Sequence, residues 1–325
     1  MVAAEIGNIE KMKCIFDATE QWEMTNEWLT SGDIKKRTIL HFAAIYGYMA
    51  VATCILDQID SLVKRSIHEK VERYMYINIQ DYKGRTPLFY AAAEGRVKVT
   101  QLLVDRGADL ELPTDDNHYQ PGSTPLMASC EKGTFECSEI LLKAGACITT
   151  LRNDGADALY IASRYGHLTV VEQIVEDVEE VNRDDVELVV TRGTFKGRTG
   201  LLTAAFHGHS LVVRKLFLSG TDIDYQDDYN YTALMYAAKE GYIELVKWLV
   251  TNGADVSKKD QDGNTALKIA RAEGHTNIVK HLIPFKSLEE SESEEEIEPA
   301  KKGGKRPKGR VSYMSTKSSN NKMGR

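Results

Sequence analysis

Seven short segments of the chain share one register. Aligned on the Thr of KGRTPLFYAAAEGR (Lys83–Arg96), it returns in RTILHFAAIYGY from Arg37, STPLMASCEKGT from Ser123 and ADALYIASRYGH from Ala156. It returns again in RTGLLTAAFHGH from Arg198, YTALMYAAKEGY from Tyr231 and NTALKIARAEGH from Asn264. The anchors are Thr38, Thr86, Thr124, Asp157, Thr199, Thr232 and Thr265, at steps of 48, 38, 33, 42, 33 and 33 residues. A unit of 33 residues with insertions of 15, 5 and 9 accounts for every step. The segment AAEIGNIEKMKCIF near the start matches the others from its Ala-Ala pair onward and reads as an eighth, partial copy. Such a period is a strong constraint. One unit is too small to bury its own apolar face, so only a stack of units makes a core.

Each unit spells out two helices. Thr, or Asp157, supplies an oxygen for the orphan N–H groups of a helix start, and Pro87 and Pro125 suit the first helical turn. Pairs such as Ala91-Ala92, Ala204-Ala205 and Ala237-Ala238 allow neighbouring helices to approach closely. Gly95, Gly166, Gly208, Gly241 and Gly274 end the first helix, where a left-handed backbone is needed. The second helix carries apolar spacing, as in Leu245, Val246, Leu249 and Val250, and Gly107-Ala108-Asp109 or Gly253-Ala254-Asp255 stops it.

These elements resemble the ankyrin repeat, T-P-L-H-x-A-A-x-x-G-H followed by V-V-x-x-L-L-x-x-G-A-D. The resemblance covers Val2 to about Pro284, with departures at Gly200, Ala233 and Ala266 in place of Pro and Asp157 in place of Thr. It implies an all-α ankyrin-repeat solenoid over residues 1–284, built of about eight helix-turn-helix units with β-turn fingers. Long finger insertions are expected near residues 57–79, 110–122 and 177–195. It also implies a non-enzymatic protein-binding scaffold or adaptor whose partner lies across the fingers and inner helices.

The stretch TRGTFKGRTGLL (Thr191–Leu202) imitates a phosphate-binding loop. That loop needs four residues between its glycines, then Lys and Ser or Thr. Gly193 and Gly197 have three between them and are followed by Arg198. KGRT also occurs at Lys83–Thr86 in the same repeat position, so the glycine reads as a turn and Thr199 as a helix cap. No cofactor is implied. The five cysteines include no C-x-x-C pair, which speaks against a zinc site, and they read as small buried apolar side chains. His41, His167, His209 and His275 fall at repeat positions where they bond turn backbones. No serine elbow or kinase glycine loop is present, and no catalytic residue is assigned. An enzyme with an unrecognised site in the solenoid is the weakest alternative.

The insertion at Asp57–Ile79 places Ile59, Val63, Ile67, Val71 and Met75 four residues apart, which reads as one amphipathic helix. It docks either on its own solenoid or on a partner. The Asp177–Thr194 insertion reads as a long finger, and PTDDNHYQPG (Pro113–Gly122) as a turn-rich loop. The two residues before each helix-ending glycine face outward in this register. Several are aromatic, and aromatic turn residues adjoin them. The expected partner surface is Tyr165, Phe195, Phe206, His207, Tyr229 and Tyr231, because aromatic side chains offer large contact area at little entropic cost. A competing reading packs them against the fingers.

Charge divides the chain. Residues 285–325 hold ten Lys or Arg and seven Glu, while the remaining residues carry a net charge of −10. SLEESESEEEIEPA followed by KKGGKRPKGR has too few apolar residues to fold, so a disordered tail is expected. The basic block resembles a nuclear-import signal. A nuclear adaptor that uses this tail for import, or for weak nucleic-acid contact, is the alternative function. An acidic body does not suit nucleic acid as the main partner. No apolar run approaches the ~20 residues of a membrane span. The N-terminus does not read as a secretory signal, so an intracellular, cytoplasmic protein is expected.

Overall fold

The structure is a computed structural model that describes residues 29–64, 69–115, 121–181, 193–194 and 196–285. The partial first copy, Phe195 and the whole of 286–325 lie outside the described residues. Contacts separate Met1–Lys286 from Ser287–Arg325 as two units, and the repeats occupy the first.

The repeat register becomes seven helix pairs among the described residues. They are α1 (Ile39–Tyr46) and α2 (Met49–Val63), α4 (Pro87–Ala93) and α5 (Val97–Asp105), α6 (Pro125–Lys132) and α7 (Phe135–Lys143). They continue as α8 (Ala158–Tyr165) and α9 (Leu168–Val181), α10 (Gly200–Phe206) and α11 (Ser210–Leu218), α12 (Ala233–Glu240) and α13 (Ile243–Thr251), α14 (Ala266–Glu273) and α15 (Thr276–Leu282). An extra helix, α3 (Glu69–Ile77), lies between the first two pairs. The inner helices α1, α4, α6, α8, α10, α12 and α14 stack in order, each on the next. Among the described residues no strand forms; one isolated antiparallel bridge joins Gly193 and Thr199.

The expected caps are in place. The side chains of Thr86, Thr124, Asp157, Thr199, Thr232 and Thr265 each accept the backbone N–H three residues on. Asp157, the departure from Thr, makes the shortest of these bonds at 2.8 Å, to the N–H of Tyr160. A carboxylate is a stronger acceptor than a hydroxyl and also meets the positive end of the helix. Thr199 spends its hydroxyl oxygen on the N–H of Leu202. The alanine pairs at 91–92, 204–205 and 237–238 are fully buried between inner helices.

Neighbouring repeats are tied at the helix ends. The Nε2–H groups of His167, His209 and His275 donate to the carbonyls of Glu131, Arg164 and Lys239 at 3.1, 3.1 and 2.9 Å. These acceptors lie in the last turn of the preceding inner helix, where carbonyls have no intrahelical partner. The histidines therefore bond across repeats and not within their own turns. Arg96 does the same to Ile45 through Nε (2.9 Å), and Thr134 to Ala92 through its hydroxyl (2.7 Å). The glycine that ends the inner helix leaves room for that side chain. At Gly241, φ is 88° and an added Cβ would stand 2.7 Å from the His275 ring.

Three expectations change. The 57–79 insertion is not one helix. The helix begun at Met49 runs on to Val63, and a separate α3 follows. Ile59 and Val63 are buried as the four-residue spacing implies, but Met75 is 65% exposed and Ile77 is buried in its place. The helix ends at Val63, so the spacing does not run along one helix. The helix α3 packs on α2. Arg73 pairs with Asp60 at 3.0 Å, and the Tyr74 hydroxyl donates to Asp109 at 2.6 Å. The acidic start of the third insertion is likewise helical, since α9 reaches Val181. Cysteine burial also holds only in part. Cys130 and Cys137 are buried, but Cys147 is exposed, and hydrogen bonds from Thr149 and Thr150 lower its pKa.

His41 sets the first junction. Its Nε2–H donates to the Arg85 carbonyl at 3.0 Å, so Nδ1 is left to accept the Thr38 N–H, also at 3.0 Å. Burial lowers its pKa to about 4. The folded state thus binds this proton more weakly than the unfolded chain, whose histidine titrates near 6.5. The contribution is complete above pH ~6.5 and falls away toward pH 4, by up to about 3 kcal/mol. His41→Gln, which keeps an acceptor for Thr38, should show a shallower fall in melting temperature between pH 7 and 4.5 than the wild type. Equal slopes would show that His41 does not drive the acid sensitivity. For the glycines, Gly253 has φ 93° but open space around it, while Gly241 has both the strained φ and the His275 ring. Gly253→Ala should cost about 1 kcal/mol from backbone strain alone. Gly241→Ala should cost at least ~1 kcal/mol more, read from urea midpoints.

Candidate functional site

In four of the seven repeats the finger turn is built on an aspartate five residues before the capping residue. The Oδ1 atoms of Asp33, Asp81, Asp227 and Asp260 each accept two backbone N–H groups, two and four residues on, at 2.7–3.0 Å. The turns are then linked to one another. The N–H of Tyr82 donates to Lys35, Asp115 to Lys83, Asn153 to Pro121, Asp228 to Lys196 and Gln261 to Tyr229, at 2.9–3.2 Å. These bonds join five pairs of neighbouring fingers among the described residues. At the inner positions two residues before the glycines, Arg164, Tyr165 and His207 are exposed and Phe206 is half-buried.

On this face the aromatic residues singled out from the sequence fall into two kinds. Tyr165 and Tyr229 are 37% and 42% exposed. Tyr165 stacks on His167 with ring centres 6.3 Å apart and has Arg164 over its ring. Tyr229 sits in the finger turn, its N–H held by Asp227. Phe206 and Tyr231, by contrast, are half-buried and pack on the core. Both lie against Tyr236, Phe206 edge-on at 5.5 Å and Tyr231 tilted at 5.0 Å. His207 is exposed and lies edge-to-face with Phe206. Partial desolvation, then the charges of Arg164, His209 and Arg198, lower its pKa, which keeps it neutral at physiological pH. Phe195 is outside the described residues.

The centre of this cluster is Tyr236, a residue that the repeat register alone does not single out. Its hydroxyl donates to Asp227 Oδ2 at 2.5 Å and accepts from Arg198 Nη2 at 2.7 Å. The carboxylate of Asp227 is fully buried, with Arg198 Nε 4.0 Å away. Burial, then the bond to Asp227, raises the Tyr236 pKa, so the phenol keeps its proton. The guanidinium of Arg198 lies over both Phe206 and Tyr236, at 5.1 and 4.7 Å, and Lys239 over Tyr231 at 5.4 Å. A signal was present in the sequence. Tyr recurs four residues after the cap at Tyr90 and Tyr236, in both cases with Asp nine residues before it. A second feature of the face is a cleft of about 280 Å³ between α4 and α6, lined by Arg85, Phe89 and Tyr90 among others. Among the described residues no group of three or more His, Cys, Asp or Glu side chains converges as a metal site.

This division predicts different stability effects. Phe206→Ala and Tyr231→Ala should each cost about 2 kcal/mol, because packing on Tyr236 is lost. Tyr165→Ala and Tyr229→Ala should stay within ~0.5 kcal/mol of wild type. Urea unfolding of the four variants checks this, and equal costs for all four would remove the distinction.

Comparison with known proteins agrees with this architecture. A family model described as "Ankyrin repeats (3 copies)" matches residues 1–114, 112–185 and 201–294. The ankyrin repeat protein nuc-2 of Neurospora crassa is 27% identical over 264 residues, covering 70% of this chain and 21% of that protein. The ankyrin repeat and KH domain-containing protein mask-1 of Caenorhabditis elegans is 29% identical over 147 residues, covering 45% of this chain and 5% of that protein. The chain thus spans about a fifth or less of the length of these relatives. Among solved structures, the ankyrin repeat domain of Bcl-3 superposes with a TM-score of 0.59 at 24% identity, covering 76% of this chain and 98% of that domain. The chain belongs to the ankyrin-repeat family, whose repeats are a protein–protein interaction module.

Proposed function

We propose that this chain is a non-enzymatic adaptor that holds a protein partner on the face made by its inner-helix ends and fingers. The contact set is Tyr165, Phe206, His207, Tyr229 and Tyr231, joined on sequence grounds by Phe195. The observation that carries the reading is the pairing of exposed rings with a rigid support. Tyr165 and Tyr229 are exposed, yet the backbone beneath them is held by the Asp227 turn and the helix stack. Large side chains already fixed in place lose little freedom on binding, which is what makes aromatic residues effective anchors. Half-buried Phe206 and Tyr231 pack on Tyr236 in the same part of the solenoid. The repeats supply the interaction surface, and the chemistry of the partner decides the biology.

The test is affinity capture with the full chain as bait, against the Tyr165→Ala/Tyr229→Ala double variant. Each anchor should contribute about 2 kcal/mol, so a partner captured by the wild type should bind the double variant at least ~30-fold more weakly at unchanged melting temperature. Unchanged capture by a folded double variant would place the contact surface elsewhere.

A further inference from the structure

The arginine that precedes the helix cap is held differently in successive repeats. In the first, Asp33 Oδ1 closes the finger turn, and Oδ2 accepts the guanidinium of Arg37 from Nη2 at 2.6 Å and Nε at 3.0 Å. In the second, Asp81 Oδ1 closes the same turn through the N–H groups of Lys83 and Arg85. Its Oδ2, however, accepts the hydroxyl of Tyr90 at 2.7 Å. The difference traces to one position, four residues after the cap, which is Phe42 in the first repeat and Tyr90 in the second. The phenol takes the oxygen that an arginine takes elsewhere, and Arg85 is displaced. The sixth repeat avoids the conflict. Tyr236 occupies Asp227 there too, but the residue before that cap is Tyr231, and Arg198 of the preceding repeat donates to the phenol.

Among the described residues Arg85 has two rings and the Tyr90 hydroxyl beside it in place of a counter-ion. Its guanidinium lies over Phe89 and Tyr90 at 5.5 and 5.8 Å. Its Nε–H is buried and, among the described residues, meets no hydrogen-bond acceptor. A buried donor without an acceptor is costly, and more so on a charged group. Arg85 also lines the cleft of about 280 Å³ between α4 and α6, with apolar walls from Phe89, Ala93 and Ala128.

We infer that this cleft is a subsite for a single carboxylate of a bound peptide, an Asp or Glu side chain or a free C-terminus, which pairs with Arg85. The remaining lining charges narrow the ligand. Lys132 is 3.9 Å from Glu131, and exposed Glu94 adds a second acid. A doubly charged phosphate would meet both acids. One carboxylate on an otherwise neutral chain brings backbone N–H groups that can donate to them. The inference deepens the reading of this face as a partner surface and rests on it, but its test needs no partner.

The full chain, labelled with nitrogen-15, is titrated while the Nε–H resonance of Arg85 is followed. The probes are N-acetylglutamate N-methylamide for a side-chain carboxylate and N-acetylphenylalanine for a terminal one. N-acetylglutamine N-methylamide is the neutral control. At least one carboxylate should give a saturable shift, at least ~10-fold tighter than the control, since a charge-assisted bond is lost in the amide. The tighter of the two identifies the source. Tyr90→Phe is the decisive variant. It recreates the Phe42 arrangement, frees Asp81 for Arg85, and should weaken carboxylate binding by about tenfold or more without unfolding the chain. No saturable shift with either carboxylate, an equal response to the neutral control, or unchanged binding by a folded Tyr90→Phe variant would each overturn the inference. Any of these would leave the capture result at Tyr165 and Tyr229 untouched.

Discussion

Everything in this fold depends on how the unpaired carbonyls at the end of each inner helix are satisfied. The last turn of a helix leaves acceptors with no partner in the helix. Here the next repeat supplies the donor, from His167, His209 and His275, and from Arg96 and Thr134 where histidine is absent. The glycine that ends the preceding repeat's inner helix leaves the space the donor side chain occupies. At the junction that lacks such a bond in the sequence pattern, the Tyr242 ring lies where a Cβ on Gly208 would be, 2.7 Å from that position. The bond and the packing act together. They fix the spacing of the inner helices, and the alanine pairs between those helices accept the close approach that results.

The same logic governs the functional face. Where a finger carries the aspartate, one of its oxygens is committed to the turn and the other is to spare. Arg37 takes the spare oxygen of Asp33, Tyr90 that of Asp81, and Tyr236 that of Asp227. Which side chain wins decides what the surface presents. With arginine paired, as at Arg37, the charge is neutralised by its own finger's aspartate. With tyrosine paired, a guanidinium is released onto aromatic rings, as at Arg85, or recruited by the phenol itself, as at Arg198. A single hydroxyl, present in Tyr90 and absent in Phe42, therefore changes the electrostatics of the neighbouring cleft without changing the backbone.

Much of the fold was legible because the repeat makes the same physical demand seven times. Caps, alanine pairs, helix-ending glycines and outer-helix stripes were all readable as local chemistry, and Asp157 could be placed as a cap despite its departure from Thr. The insertion at 57–79 was misread as one helix because a four-residue spacing happens to persist across a break, and only Ile77, not Met75, reaches the core. At the candidate site, the exposure of Tyr165, His207 and Tyr229 followed from register. The partial burial of Phe206 and Tyr231 did not, because it depends on Tyr236, whose ring both of them touch.

By itself the sequence determined the unit, its length, its two helices and the order in which units stack. Those properties follow from near-neighbour chemistry, repeated until no other fold could satisfy it. Tertiary structure alone decided which donor meets which carbonyl across a junction, which side chain captures each spare carboxylate oxygen, and where a cation is left without a counter-ion. The cross-junction donors reach carbonyls 36 to 51 residues away, and Arg198 reaches Tyr236 across 38. Arg37, Tyr90 and Tyr236 instead meet their aspartates within one repeat, four or nine residues on. Each case is a competition between neighbouring groups. Its outcome turns on distances of a few ångströms, because a hydrogen bond is lost within about one ångström of its optimum length. The repeat pattern carries no information at that scale.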